Sequence, residues 1–172
     1  LISGGINNYS IVALGALYGT PQVTASAALS AYLLLAAIGV LIGGVVVTHT
    51  TRHGTVTAFG LFATAVATLL IAKFDFNSVL LILVMSVGGF FSGAIMPSRD
   101  MIVREVTPPG SFGKVFGFVS TGFNIGGVVS PLIFGAIMDH GSPRWVFLLV
   151  AAFNLIAIAT VTCFGTAFMA YT

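Results

Sequence analysis

Charge is what this sequence has least of. Of its 172 residues only 6% are Asp, Glu, Lys or Arg, where an ordinary soluble domain carries about 25%. So few charges cannot solvate the surface of a water-soluble globule of this size. Cysteine is almost missing as well, with one in the chain, and that excludes a disulfide-stapled secreted domain. The isoelectric point near 9.0 rests on a net charge of only +2. No basic patch accompanies it, so a nucleic-acid binder is excluded too. His49, His53 and His140 are not grouped with carboxylates at ligand spacing, so no metal and no other cofactor is expected. What is present instead is apolar: 58% hydrophobic residues, Phe 15 times and a mean hydropathy of +1.12. The chain belongs in a bilayer.

Length then bounds the architecture. A helical span needs roughly 20 apolar residues, so six spans would use about 120 positions. A β-barrel would need short alternating strands of about ten residues, whereas stretches such as Leu33 to Val47 are unbroken apolar runs. The expected fold is all-α, a polytopic bundle of six transmembrane helices forming a single domain over residues 1–172. Charged residues and Pro/Gly clusters punctuate the chain and place the spans at 1–18, 24–48, 56–72, 78–97, 115–138 and 145–170. A polar connection, Arg104 to Lys114, separates the fourth from the fifth.

An even span number puts both ends on one side. Arg52, Arg99, Arg104 and Lys114 follow the second and fourth spans, against Lys73 and Arg144 on the opposite face. The excess assigns the first set, and both termini, to the cytoplasm. Trp145 at a span start suits an interfacial anchor. The chain opens at Leu1, already inside an apolar run and with no basic leader. A preceding segment is therefore expected, and a cleaved signal peptide is not.

Membrane helices pack through small residues that let backbones approach. Glycine occurs 21 times, and four pairs carry the four-residue spacing: Gly39 with Gly43, Gly89 with Gly93, Gly113 with Gly117, and Gly122 with Gly126. All four are expected to serve close helix packing. The fifth span says more. Gly117, Ser120, Thr121, Asn124, Val128, Pro131 and Gly135 fall at three- and four-residue steps and form one face. Such a small, polar, Pro-broken stripe either lines a water-filled cavity or packs tightly with Asn124 bonded to a neighbour. Ser86, Gly89, Gly93 and Pro97 repeat the pattern in the fourth span, and Ala28, Tyr32, Ala36, Gly39 and Gly43 share a face in the second. Asn7, Asn8 and Tyr9 form the dense polar group of the first. Buried amides need partners, so the group is either cavity-lining or interhelical; two adjacent amides cannot both face one neighbour, which favours the cavity for at least one of Asn7 and Asn8.

No Asp, Glu, Lys or Arg stands mid-span, where each would cost about 2.5–3.5 kcal/mol. A proton relay inside the membrane cannot be assembled from these residues alone. Any coupling acid is expected in the preceding segment.

Three stretches resemble the C-terminal half, helices seven to twelve, of a bacterial major facilitator superfamily transporter. The run Gly43-Gly44-Val45-Val46-Val47-Thr48-His49-Thr50-Thr51-Arg52-His53-Gly54 is similar to the family's Gly-x-x-x-Asp-Arg-x-x-Arg loop. Arg52 fits, but Thr48 and His49 stand where Asp and Arg are usual, a departure that touches the loop's charge relay and leaves its turn. Pro97-Ser98-Arg99-Asp100-Met101-Ile102-Val103-Arg104, leading through Pro108-Pro109-Gly110 to Gly113, resembles the connection between the fourth and fifth helices of that half. Gly117, Gly126, Ser130-Pro131 and Phe134-Gly135 look like the family's Gly/Pro helix motif, with Ser130 and Phe134 replacing glycines. The resemblance implies one half of a secondary carrier working by alternating access in a cell membrane, a small-molecule substrate, and a six-helix N-terminal partner half.

On this reading Asn8, Tyr32, Ser86, Thr121 and Asn124 face one cavity, with Asn7 the alternate for Asn8. Arg52, Arg99, Asp100 and Arg104 organise the cytoplasmic loops and gate, Arg99 and Asp100 toward the Thr48 to Gly54 loop. Gly117, Gly126, Pro131 and Gly135 serve packing and pivoting. Two rivals are weaker. An intramembrane serine protease could use Ser92-Gly93, but every His lies at a span end, out of reach of a mid-span nucleophile. A non-transporting membrane module would fill the polar stripes with neighbouring helices.

Overall fold

The computed structural model describes the backbone of residues 2–19, 21–50, 53–74, 77–105, 107–139 and 144–169, and the side chains of 6–7, 9–15, 19, 21–50, 53–74, 77–105, 107–139 and 145–161. In hydrocarbon every backbone amide must find its partner within its own segment, so apolar runs of this length become helices. Among the described residues six form: α1 (Ile2–Tyr18), α2 (Gln22–His49), α3 (His53–Lys73), α4 (Ser78–Glu105), α5 (Phe112–Asp139) and α6 (Arg144–Met169). No strand occurs among the described residues. Helices α2 to α5 are each long and apolar enough to cross a bilayer, and α6 contributes the shorter apolar stretch Trp145–Val161. Trp145 is exposed at its start.

Helix α4 outruns the span read from sequence. It continues through Pro97 to Glu105, because a proline deletes one amide donor and other groups can re-satisfy the freed carbonyl. The charges Arg99, Asp100 and Arg104 therefore ride on the last turns of a helix instead of in a loop. The chain then reverses at Pro108-Pro109-Gly110-Ser111, where the Ser111 amide donates to the Pro108 carbonyl at 3.1 Å. Gly110 has φ +81°, the left-handed value that the third residue of a type II turn demands and a side chain resists.

The tightest packing joins α2 to α4. A Cβ on Gly39 would collide with the Phe90 carbonyl oxygen, one on Gly89 with that of Tyr32, and one on Gly93 with that of Ala36. Each helix thus presents its glycines to the other's backbone, with Ala25, Ala28 and Tyr32 buried along the same face of α2. Helix α3 packs on both α4 and α6. Its buried threonines are satisfied from within: Thr57 donates to the His53 carbonyl at 2.9 Å, Thr64 to Gly60 at 2.9 Å and Thr68 to Thr64 at 3.0 Å. Hydroxyls bonded one turn back spare a buried interface the cost of open donors. Helix α1 touches α2, α5 and α6, and Ile6, Leu14, Phe147 and Val150 close the core between them.

Helix α5 is the outlier. It meets α1 and only brushes α4 and α6, and it buries two residues, Ser130 and Phe134.

Candidate functional site

A helix that spans lipid and carries polar groups on an open face marks the place to look. On α5, Thr121 and Asn124 are exposed. The Thr121 hydroxyl donates to the Gly117 carbonyl at 2.9 Å, so it needs nothing further. The Asn124 carboxamide has no hydrogen-bond partner among the described residues. Around it, a Cβ on Gly113, Gly117, Gly122 or Gly127 would meet nothing within 4 Å. The expectation that the Gly113/Gly117 and Gly122/Gly126 pairs pack helices is corrected here for Gly113, Gly117 and Gly122, which lie open; Gly126 is half-buried.

Asn7 on α1 is exposed, while the Asn8 side chain lies outside the described residues. Tyr32 does not open onto this face. It is 4% exposed, set in the α2–α4 interface, where its backbone faces Gly89. Ser86, on α4, is half-buried. The expected five-residue constellation is therefore split: Thr121 and Asn124 are open, as is the alternate Asn7, whereas Tyr32 is buried and Ser86 half-buried.

What joins α1 to α5 is Tyr9, the third member of the polar group of α1, which takes the interhelical of its two expected roles. The Tyr9 hydroxyl donates to the Pro131 carbonyl at 2.8 Å, its ring lies 6.0 Å from that of Phe134, and a Cβ on Gly135 would stand 3.3 Å from its oxygen. A tyrosine beside two asparagines, opposite a Pro-x-x-Phe-Gly turn, was the available signal.

Near the middle of α5, directly before Asn124, the Arg99 guanidinium sits 4.4 Å from the centroid of the Phe123 ring. Asp100 accepts from its Nε at 3.2 Å and from its Nη2 at 3.0 Å. These, and not the Thr48 to Gly54 loop, are the described partners of Arg99. The loop is tied to α4 differently: His53, 5% exposed, places Nε2 3.3 Å from Oε1 of the half-exposed Glu105. Neither residue was singled out from sequence. Arg104 is exposed and borders a 480 Å³ hollow with Thr107, Pro108, Pro109, Gly110 and Phe112; Arg52 lies outside the described residues.

Two other spaces do not suit a solute. A void lined by Ile6, Tyr32, Thr64, Met85 and Phe147 measures 10 Å³, the scale of one water. A 420 Å³ groove on the outer side of α3 and α4, lined by Phe59, Phe62, Val66, Leu83, Val87 and Phe91, offers no polar group to orient one. No three His, Cys, Asp or Glu side chains converge on a metal position among the described residues. Asn7, Thr121 and Asn124 are neutral hydrogen-bonding groups on exposed helix surface, and the Arg99 cation lies beside them on Phe123.

Comparison with protein families settles the class. The family described as Major Facilitator Superfamily matches residues 1–168. The chain belongs to that superfamily. It is a multi-pass membrane protein of a transport family. Among its relatives are "Efflux pump bfoC" of Aspergillus brasiliensis, 29% identical over 85 residues, 49% of this chain and 15% of that protein. "MFS transporter L2" of Phoma sp. is 34% identical over 79 residues, 46% of this chain and 13% of that one. The "Multi-drug resistance efflux pump PmrA homolog" of Lactococcus lactis subsp. cremoris is 30% identical over 70 residues, 41% and 59% respectively. The match thus spans a small share of the fungal proteins' length. Fungal and bacterial members both occur among these relatives.

Proposed function

We propose that this chain is the C-terminal half, helices seven to twelve, of a bacterial-type secondary carrier that exports a small neutral or amphipathic solute across the cell membrane. Both its ends lie on the cytoplasmic side, and it works with a six-helix N-terminal half. The observation that carries the proposal is the open face of α5. A carboxamide at bilayer depth is costly against lipid, and irregular or polar surface at that depth is tolerated where it meets protein or water. Asn124 and the open glycines beside it call for a second bundle and a wet pathway between the two. Export as the direction is supported by the relatives named efflux pumps.

In this mechanism Asn7 or Asn8, Thr121 and Asn124 orient the solute through hydrogen bonds, Tyr32 and Ser86 form the wall, and Gly117, Gly126, Pro131 and Gly135 let α5 shift as the halves rock about the shared site. Arg52, Arg99, Asp100 and Arg104 hold the cytoplasmic ends. The solute is moved, not transformed. Alternating access requires both halves, so this chain alone in liposomes should not transport.

The test uses the carrier with both halves, assayed for export of a fluorescent amphipathic dye. Each lost hydrogen bond is worth about 0.5–1.5 kcal/mol, so Asn124→Ala should raise the half-saturating dye concentration roughly two- to twelvefold with expression maintained. Unchanged export with Asn7, Asn8 and Asn124 all replaced by Ala would sink the site. Cysteines at Ser111 and Ser142 should label from opposite sides of the membrane; labelling from one side would refute the topology.

A further inference from the structure

Helix α5 is anchored at two unlike points, and the difference gives them different roles. The first surrounds Pro131. Proline has no amide hydrogen, so the Gly127 carbonyl loses its helical donor and the helix is weakened there. At that same turn α5 buries its two interior residues, Ser130 and Phe134, and receives the Tyr9 hydroxyl on the Pro131 carbonyl at 2.8 Å. Gly135 leaves room for it, since a Cβ would approach the tyrosine oxygen to 3.3 Å. The second point is Arg99 over Phe123 at 4.4 Å, with Asp100 fixing the guanidinium. Away from these points, a Cβ on Gly113, Gly117, Gly122 or Gly127 would meet nothing within 4 Å.

We propose that Tyr9 and the Pro131–Gly135 turn form the pivot of α5, and that Arg99 against Phe123 is a catch holding the N-terminal half of α5 to α4. Tyr9 and Arg99 are then positioning residues of the transport cycle, which rests on reading the chain as a carrier half. The hardware suits the roles. The pivot combines a directed hydrogen bond, ring packing and a buried pair, so it stays engaged. The catch is a cation on the face of one ring, with Arg99 and Asp100 both more than a third exposed, so it opens readily. Release swings residues 112–125 away from α4 about Pro131 and widens the approach to Thr121 and Asn124. Because Tyr9 follows Asn7 and Asn8 on α1, the pivot also keeps the polar group of α1 in step with that of α5.

The test measures distances by spin-label spectroscopy in the full-length carrier, in a background with Cys163 and other native cysteines replaced. Labels at Phe118→Cys and Phe59→Cys report the N-terminal half of α5; labels at Leu132→Cys and Phe59→Cys report the pivot. Arg99→Ala should enlarge the long-distance population of the first pair about two- to fivefold, the reach of one exposed cation–ring contact, and leave the second pair unchanged. Arg99→Lys, which keeps a cation over the ring, should restore the first pair toward the parent. Tyr9→Phe retains the ring and loses one oxygen; it should broaden both pairs and lower kcat with KM held within about twofold, the mark of a lost coupling and not of a lost ligand contact. Distances unchanged in both Arg99→Ala and Tyr9→Phe would overturn the proposal, as would equal broadening of both pairs by Arg99→Ala. A parent protein that shows these distance shifts but no transport would remove the carrier reading and leave the pivot standing. Transport with unmoved distances would do the reverse.

Discussion

Helices α2 and α4 and helix α5 carry glycines at the same four-residue spacing, and the structure uses them in opposite ways. In the α2–α4 pair each glycine admits the facing backbone, so that a single added carbon at Gly39, Gly89 or Gly93 would strike a carbonyl oxygen. On α5 the equivalent carbons at Gly113, Gly117 and Gly122 would enter open space. Spacing alone defines a smooth strip on a helix. Whether the strip becomes a seam or a sliding surface depends on what faces it, and that partner is not encoded in the strip.

The contrast can be broken most violently at the seam. Gly93→Leu should abolish recovery of folded protein in detergent, because no side-chain rearrangement relieves a collision with a backbone. Gly117→Leu should leave recovery near the parent level, by fluorescence-detected size exclusion, while blocking export. Equal losses at both sites would mean that α5 is packed as tightly as α4. A gentler comparison uses alanine. Gly122→Ala should stabilise by about 0.5–1 kcal/mol through helix propensity, whereas Gly39→Ala should lower the melting midpoint despite the same propensity gain. Next in size is the tether that binds α4 to α3. His53→Ala and Glu105→Gln should each cost about 0.5–1 kcal/mol, since Glu105 is half-exposed and screened. A double-mutant cycle should return a coupling that shrinks in high salt. The smallest effect belongs to Thr121→Val, whose hydroxyl is already bonded within its own helix; stability should move by less than about 0.5 kcal/mol, with any change confined to the half-saturating concentration.

Much of the fold could be read from the apolar runs, because long uncharged segments leave the chain no other way to satisfy its backbone in lipid. The helix identities and their approximate limits follow from that one constraint. The end of α4 did not, since Pro97, Arg99 and Asp100 read as punctuation although a helix tolerates both a missing donor and charges near an aqueous boundary. Site residues were harder. Asn124 and Thr121 were recognisable as polar groups on a small-residue stripe, and the structure leaves them open. Tyr32 shares a stripe of the same kind, yet it is enclosed, because the stripe on α2 has a mate in α4. Tyr9 and His53 acquire their roles only from residues 122 and 52 positions away, and pairings of that kind leave no periodic trace in the sequence.

The interlock of α2 with α4 also bears on how the protein is made. Its two halves are not neighbours in the chain: Gly89 follows Gly39 by 50 residues, with all of α3 between them. At roughly 5–20 residues per second of synthesis, α2 waits about 3–10 s in the translocation machinery or the lipid beside it before its mate arrives. During that interval its groove of Ala28, Ala36, Gly39 and Gly43 is a vacant socket open to any passing helix with a small-residue strip. Helix α5, with strips of the same spacing, emerges later still, so the order of synthesis gives α4 first claim on the groove.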